Sequence, residues 1–370
     1  MKFFHLSDLH IGKIVNGLSM IPDQRYIFAQ IITYIREERP TAVIIAGDVY
    51  DRAVPGVDAV AVFDDFLTEL AQEEVTVLLV AGNHDSPERI SYASRLLADK
   101  NIFFSGVYGS QMQKISLPDE FGEVNFWLLP FLKPALLSDS YDTAVQSAIA
   151  DANIDYDARN VLISHQFYTK SGVIPMLSES ERSPIGGLDA VDATLVEKFD
   201  YVALGHLHRA QKVGAEHIRY CGSPIKYSFS ELGQDKAITV VEMSEKGRVE
   251  ISVLPLKPMR EMREITGLLD KLISPEVYNL GEREDYLRVV LTDEHEIIDP
   301  MGKLRAVYPN VLSLIHNNSN IEYDNLTEIS NIESVNMYEL FSEFFFNLQG
   351  AQMIETQAEI VRNLLGEGNE

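Results

Sequence analysis

Apolar and polar positions alternate on two length scales along residues 1–255. Short, nearly continuous apolar runs predict buried strands at residues 3–6, 42–46, 75–80, 161–164 and 201–204. Between the first three runs lie stretches with helical periodicity, at 24–38 and 57–72. This βαβα order predicts a sheet covered by helices. Two further runs, 236–243 and 248–254, flank a short polar turn and predict a β-hairpin.

The pattern changes after Pro255 and Pro258, where prolines and charged residues predict a domain boundary. A small α/β domain is expected over 258–316, with helices near 266–273 and 298–306 and strands at 286–291 and 310–315. Residues 317–335 are polar and predict a linker. In 336–370 two apolar stripes predict amphipathic helices, formed by Met337, Leu340, Phe341, Phe344, Phe345 and Leu348 and then by Ile360, Val361, Leu364 and Leu365.

Composition narrows the class of protein. With 46% hydrophobic and 24% charged residues, the 370-residue chain is typical of globular proteins. It has no apolar run of about 20 residues, no signal-peptide pattern and one cysteine, Cys221, so we expect a cytoplasmic protein without disulfides or a membrane partner. The net charge of −25 argues against nucleic-acid binding through overall basicity. A polyanionic substrate would need local attraction, through metal ions, a few cations or a partner.

Five short motifs follow predicted strands directly. They are Asp8-Leu9-His10, Gly47-Asp48-Val49-Tyr50-Asp51, Gly82-Asn83-His84-Asp85, Ser164-His165-Gln166 and Gly205-His206-Leu207-His208. Ligands bind beyond the carboxyl ends of strands in such sheets, so these loops should converge. Their carboxylate, amide and imidazole groups suit Mn²⁺, Fe or Zn²⁺ better than Mg²⁺. Each motif alone has a structural explanation, such as a turn or a core histidine, but the joint pattern predicts a metal site.

The five motifs together resemble those of the calcineurin-like metallophosphoesterase superfamily, over residues 1–257. The resemblance implies a four-layer α/β sandwich of two mixed β-sheets flanked by helices, with two divalent metal ions that activate a water for in-line attack on a phosphodiester. By the same resemblance, Asp48 bridges the two metals, His84 contacts the scissile phosphate or acts as a general acid, and Asp85 orients His84. The metal ligands it implies are Asp8, His10 and His208 for one ion and Asn83, His165 and His206 for the other.

Two further segments resemble the SbcD-type DNA repair nucleases, namely the opening His5-Leu6-Ser7-Asp8-Leu9-His10-Ile11-Gly12-Lys13 and the segment Tyr220-Cys221-Gly222-Ser223-Pro224-Ile225. This resemblance implies a Mn²⁺-dependent 3′–5′ double-strand exonuclease and single-strand endonuclease, acting in hairpin cleavage, repair, recombination and replication. It also implies that 258–316 is a capping domain that recognises DNA. The implied partners are DNA, the SbcC ATPase, whose coiled coil binds 336–370, and a second copy of the chain, through helices near 57–72 and 90–98.

Candidate DNA contacts lie beside the motifs: Lys13, Arg52, Arg89, Arg209, Ser223 and Lys226. Each cation has the alternative of a surface ion pair. Two other functions stay open at this point. A small-molecule phosphodiesterase or nucleotidase would use the same metal site, and a DNA-end-binding scaffold would have lost catalysis. Substitution of His84 separates the scaffold from the enzymes, because a scaffold does not need this side chain.

Overall fold

The computed structural model describes residues 1–133, 140–170, 173, 175–181, 190–295, 297–316, 337–349 and 352–365. Two compact units make up the chain, Met1–Met262 and Arg263–Glu370. The linker predicted at 317–335 lies outside the described residues.

The strands, in chain order, are β1 Lys2–Leu6, β2 Ile14–Val15, β3 Leu18–Ser19, β4 Ala42–Ala46, β5 Thr76–Val80, β6 Ile102–Ser105, β7 Gln113–Asp119, β8 Gly122–Leu129, β9 Arg159–Ser164, β10 Phe167–Thr169, β11 Ala190–Asp192, β12 Tyr201–Leu204, β13 Gln211–Val213, β14 Ala215–Tyr220, β15 Ala237–Met243, β16 Val249–Pro255, β17 Met262–Gly267, β18 Tyr286–Leu291 and β19 Val311–His316. The helices are α1 Ile21–Glu38, α2 Val57–Gln72, α3 Pro87–Ile90, α4 Ser94–Ala98, α5 Tyr141–Asp151, α6 Leu269–Leu272, α7 Pro275–Tyr278, α8 Pro300–Arg305, α9 Met337–Gln349 and α10 Glu355–Leu364. Among these described helices, none combines the length and the apolarity that crossing a bilayer requires.

The first unit contains two six-stranded mixed sheets. One has the order β16-β15-β1-β4-β5-β6, and the other β13-β14-β12-β9-β8-β7. In the first sheet β1, β4, β5 and β6 are parallel, while β15 runs antiparallel to both β1 and β16. In the second sheet β8, β9, β12 and β14 are parallel, and β7 and β13 close its edges in antiparallel fashion. Strands β4, β9 and β12 are buried along their whole length because both of their faces are covered.

A continuous apolar core fills the space between the two sheets. Phe3, Ile44 and Leu78 of the first sheet share one buried cluster with Phe126 and Ile163 of the second. A second cluster covers the far face of the second sheet with α5. On α1 and α2 the buried side chains follow helical spacing, and two of their rings, Phe28 and Phe66, stack at a centroid distance of 4.5 Å. The layers therefore run helices, sheet, sheet, helix, which confirms the predicted four-layer sandwich.

The second unit contains a three-stranded sheet, β17-β18-β19, in which β18 and β19 are parallel. Its core is formed by Leu269 and Leu272 of α6, Leu287 and Val289 of β18, and Leu304 of α8. The predicted strands β18 and β19 are confirmed. The helix predicted near 266–273 is wrong in its first half, because β17 extends to Gly267 and leaves a single turn, α6.

Candidate metal centre

The five sequence motifs meet at one end of the first unit. Asp8 and His10 follow β1, Asp48 follows β4, Asn83 follows β5, His165 follows β9, and His206 and His208 follow β12. Backbone hydrogen bonds tie these loops together within each sheet. The Asp8 N–H donates to the Gly47 carbonyl at 3.0 Å, and the His10 N–H donates to the Asp48 carbonyl at 2.9 Å. The loops lie at the carboxyl ends of parallel strands, which is where the strand order predicted a site.

The side chains fall into two groups around Asp48. In the first ligand group, defined as Asp8, His10 and His208, one ligand atom from each residue lies within 4.8 Å of the others. The Nε2 atoms of His10 and His208 are only 3.0 Å apart. An imidazole–imidazole contact this short needs either a shared proton or a cation between the two nitrogens.

The second ligand group is Asn83, His165 and His206. The Asn83 Oδ1 lies 3.1 Å from His165 Nε2 and 3.0 Å from His206 Nδ1. The Oδ2 of Asp48 is 3.3 Å from His165 Nε2 and 3.6 Å from His10 Nε2, so this carboxylate lies between the two groups. All seven predicted ligands are therefore brought together, in the arrangement that a bridging aspartate would need.

The charges of the site fit a pair of divalent cations. Asp8, Asp48, Asp85 and Glu231 are buried carboxylates; Lys236 contacts Glu231, and the His165 ring lies against Asp48. A surplus of buried negative charge is costly unless cations compensate it. The His10 nitrogen that faces the other ligands is Nε2, which lies 3.0 Å from His208 Nε2 and 3.6 Å from Asp48 Oδ2. An imidazole nitrogen placed between a second imidazole and a carboxylate suits a metal ion.

The backbone of the site is held in an uncommon conformation. Asp8, His10, Asp48 and His206 all have positive φ, at 54°, 41°, 51° and 111°. A side chain in this region costs about 1–3 kcal/mol, and such strain clusters at functional sites where the surrounding structure enforces it. Here the strain turns four ligand side chains away from the sheets and into the space between the loops.

The pKa values of the ligand histidines are shifted in different directions by their surroundings. Burial lowers the pKa of His10 well below its usual value and that of His206 to about 3, so both rings are neutral and able to ligate. Burial also lowers the pKa of His165, but the neighbouring Asp48 carboxylate outweighs it and raises this pKa to about 9. His165 and Asp48 thus form a buried ion pair in the metal-free protein. Metal binding must displace the His165 proton, which makes binding pH-dependent.

Two rings are oriented by main-chain carbonyls. His165 Nδ1 donates to the Ala46 carbonyl at 2.6 Å, which leaves Nε2 facing Asn83 and Asp48, where it can ligate a metal ion once its proton is lost. His84 Nδ1 donates to the Asp51 carbonyl at 2.9 Å. A ring nitrogen of His84 lies within 4.8 Å of ligand atoms of His10 and Asp48, so this half-buried ring is at the edge of the metal cluster.

The prediction that Asp85 orients His84 is wrong, because the His84 ring is bonded to a carbonyl. Asp85 instead accepts three backbone N–H groups, from Val49 at 3.1 Å, Tyr50 at 3.0 Å and Gly82 at 2.9 Å. It therefore fastens the loop after β4 to the loop after β5. These two loops carry Asp48 and Asn83, so Asp85 helps to set the distance between these two predicted ligands.

The candidate DNA contacts differ in availability. Arg52 has 73% of its side chain exposed, and Arg89 is exposed as well. Lys13 pairs with Asp51 at 2.8 Å and Lys226 pairs with Glu261 at 2.6 Å, while Arg209 is half-buried. The structure does not support a DNA contact through the Ser223 hydroxyl, which is buried and donates to the Ile225 carbonyl at 2.8 Å.

Several residues that support the site were not predicted from the sequence. They lie outside the motifs and contact the ligands from behind: Gln24, Glu181, Tyr227, Glu231 and Lys236. Gln24 is polar on the apolar face of α1, and Lys236 is the first residue of the predicted hairpin. The sequence signal that could have identified Gln24 is its polar side chain on the predicted buried face of a helix.

Comparisons with known proteins agree with this geometry. A model of the calcineurin-like phosphoesterase family matches residues 1–210. A model described as the type 5 capsule protein repressor C-terminal domain matches residues 258–347. Over 379 aligned residues the chain is 31% identical to the SbcD subunit of the nuclease SbcCD of Staphylococcus epidermidis, and the alignment covers 99% of this chain and 98% of that protein.

Two solved structures resemble the chain at low sequence identity. Phosphopantetheinyl hydrolase from Mycobacterium tuberculosis aligns with a TM-score of 0.38 and 14% identity, over 62% of this chain and 91% of that one. A dimetal phosphatase from Danio rerio aligns with a TM-score of 0.39 and 14% identity, over 70% of this chain and 99% of that one.

Proposed function

This chain belongs to the SbcD family of SbcCD nuclease subunits, within the calcineurin-like phosphoesterases, and we propose that it is the nuclease subunit of a cytoplasmic SbcCD complex. The observation that carries the proposal is the convergence of seven Asp, His and Asn side chains on one cluster, most of it buried. Its reaction would be hydrolysis of DNA phosphodiesters, from 3′ ends of duplexes and within single strands.

The first ligand group would hold one divalent ion, the second group the other, and Asp48 both. Bound there, the ions would supply positive charge at the phosphate and an activated water. We propose Mn²⁺ because the donor set is rich in imidazole yet anchored by two carboxylates. By fixing the two ions, these side chains would set the place of the reacting phosphate relative to His84, and this positioning would lower the barrier further.

His84 is proposed to act on the leaving oxygen. Its Nδ1 proton is committed to the Asp51 carbonyl, so the ring's orientation is fixed. Nε2 is then the nitrogen available to carry a second proton and to donate it as a general acid. Such a group contributes about 10²–10⁴-fold to the rate without holding the metals.

Digestion of an end-labelled DNA duplex with Mn²⁺ tests the nuclease and His84 together. We expect the wild type to remove nucleotides from the 3′ end and His84→Ala to lose about 10²–10⁴-fold in rate while binding two Mn²⁺ ions. His217→Ala, which changes a histidine on β14, is the matched control and should retain full activity. Hydrolysis of a small chromogenic diester without any DNA cleavage would refute the nuclease and favour a small-molecule substrate. Equal DNA binding with no cleavage by either protein would favour a scaffold.

The tail helices are proposed to bind the SbcC coiled coil. On α9, Met337, Leu340, Phe341 and Phe344 are exposed, and Phe346 extends the apolar surface beyond the predicted stripe. Residues 317–370 carry ten acidic residues and one basic residue, which argues against a DNA-binding role. An exposed aromatic surface on an amphipathic helix fits a helical partner groove.

Co-purification with an SbcC subunit tests this assignment. Deletion of 336–370 should abolish the complex and leave Mn²⁺ binding intact. Phe344→Asp should weaken it strongly, whereas Thr356→Asp, which adds the same charge at an exposed position of α10, should not. A complex that survives the deletion would contradict the proposal.

A homodimer through the helical face of the first unit is also proposed. Apolar side chains on α2 and around α4 are unusually open, with Val57 86%, Tyr92 81% and Leu96 74% exposed. An apolar surface of this kind on a globular unit is typical of an interface. Leu96→Glu should shift the chain to a monomer in sedimentation equilibrium, while Leu280→Glu, at an equally exposed leucine of the second unit, should not. A monomeric wild type would refute it.

A further inference from the structure

We propose that Glu231, Lys236 and the 222–224 loop form a cradle that positions His208, and that this cradle makes the first ligand group the tighter of the two metal sites. The inference rests on the proposed two-metal function and assigns a role to residues outside the five motifs. It also gives a structural role to the Gly-Ser-Pro segment, which the sequence linked to DNA.

The ring of His208 is held by a buried carboxylate. Its Nδ1 lies 3.4 Å from Oε1 of Glu231, whose side chain is fully buried. A proton on Nδ1 donates to this carboxylate, so the Nε2 lone pair is directed at Asp8 and His10. A carboxylate behind a ligating imidazole fixes its tautomer and makes the nitrogen a better donor to a metal ion.

The main chain of His208 is held by the ammonium group of Lys236. This group donates to the His208 carbonyl at 2.7 Å, to Glu231 Oε2 at 2.6 Å and to Ser223 Oγ at 3.0 Å. One buried cation therefore connects the backbone of the ligand to the carboxylate behind its ring. Glu181 completes the fixation from the other side by accepting the His208 N–H.

The 222–224 loop packs directly against the same backbone. Gly222 has φ +79°, and a Cβ there would lie 2.7 Å from the His208 carbonyl oxygen and 2.8 Å from the Ala210 nitrogen. The Ser223 N–H donates to the His208 carbonyl at 3.2 Å. Gly222 permits this close approach, and the Ser223 hydroxyl accepts a hydrogen bond from Lys236. The segment therefore supports the backbone of His208, a predicted metal ligand.

The second ligand group lacks an equivalent charged support. His165 Nδ1 donates to a neutral carbonyl, that of Ala46. Among the described residues, no carboxylate lies within 4 Å of the His206 ring, and Asn83 is exposed. A buried group backed by an ionised partner holds a cation more tightly than a partly exposed group backed by a carbonyl. The two ions should therefore bind with different affinities, the first ligand group filling first.

Calorimetric titration of the metal-stripped full chain with Mn²⁺ tests the cradle. The principal variant is Glu231→Met with Lys236→Met, which removes both charges at once and so leaves no unpaired buried ion. The matched control is Lys212→Met with Glu216→Met, the same two changes at an exposed ion pair. We expect two Mn²⁺ sites of unequal affinity in the wild type and in the control. In the cradle variant the tighter site should weaken by about 10–100-fold and the other should stay unchanged.

Melting of each protein in a chelator separates positioning from folding. If the double variant does not fold, the same Mn²⁺ titration is made with Glu231→Gln, which retains the shape of the side chain and loses its charge. Unchanged Mn²⁺ affinity at both sites of the variant, or equal weakening of both, would overturn the inference. The proposed function would still stand in that case, provided that the wild type cleaves DNA. A wild type that binds no Mn²⁺ would overturn both.

Discussion

Gln24 is the polar residue of α1 that clamps the turn carrying Asp8 and His10. Its Nε2 lies 2.7 Å from the His10 carbonyl and 3.2 Å from the Leu9 carbonyl, and its Oε1 accepts the Gly12 N–H at 3.0 Å. The side chain is buried. We predict that Gln24→Ala destabilises the protein and weakens Mn²⁺ binding, because the turn then loses the partner that opposes its backbone strain.

The expected cost follows from the bonds that are lost. The amide donates two N–H bonds and accepts one, and each is worth about 1 kcal/mol net, so the sum is about 3 kcal/mol. The two carbonyls left behind belong to buried residues and the Gly12 N–H is partly buried, which prevents water from replacing the amide fully. Gln30→Ala is the matched control on the same helix. Its two bonds to Lys257 are exposed, so we expect a loss of under about 1 kcal/mol.

Urea denaturation in a chelator measures the two free energies of unfolding, and Mn²⁺ titration measures binding to the folded variants. The slope of free energy against urea should be unchanged, since the same surface is exposed on unfolding. Equal stability of Gln24→Ala and Gln30→Ala would refute the clamp, because it would mean that solvent or neighbouring groups satisfy the turn. Normal Mn²⁺ affinity in a destabilised Gln24→Ala would refute the link between the turn and the metals.

Two further predictions concern packing and pH. Gly205→Ala would place a Cβ 1.9 Å from the Ala46 carbonyl oxygen, which orients the ring of His165. We therefore expect the free energy of unfolding, measured in urea, to fall by about 1–3 kcal/mol and Mn²⁺ binding to weaken. Gly233→Ala, with open space at its Cβ, is the control and should be neutral. The Asp119 pKa is held well below its usual value by hydrogen bonds from Arg159 and the N-terminal amine; its stabilisation is therefore present above about pH 4 and is lost as pH falls further. Asp119→Asn should flatten the decline in melting temperature from pH 4 to pH 2 and lower the melting temperature at pH 7, and an unchanged profile would contradict this assignment.

Motif residues and buried strands could be predicted because their signals are local. Strand β4 and helix α2 have the predicted bounds, since a continuous apolar run and a clean helical period leave little choice. The antiparallel hairpin of β7 and β8 was missed, because one face of β7 is partly exposed and its apolar positions are sparse. Helix α5 was missed as well, because its buried face is formed by only Tyr141, Val145 and Ala148.

The supports of the site could not be predicted for a different reason. Glu231 and Lys236 are ordinary charged residues in sequence, and their burial depends on the return of the chain to the His208 loop. The role of Asp85 was misassigned because adjacency in sequence suggested His84 as its partner. In the fold, two of the three backbone donors to Asp85 come from Val49 and Tyr50, more than 30 residues earlier.

The pairing of β1 with β15 has a consequence for how the protein is made. Lys2 pairs with Glu242, so β1 cannot form this pairing until a strand some 240 residues later has been synthesised. At about 5–20 residues per second, this delay on the ribosome is roughly 10–50 s. For most of that time Asp8 and His10 are present without His206 and His208, and one edge of β1 is open to intermolecular pairing. Completion of the metal centre is thus a late event in biogenesis, and a nascent chain released before β15 emerges would lack both an intact first sheet and the capacity to cleave DNA.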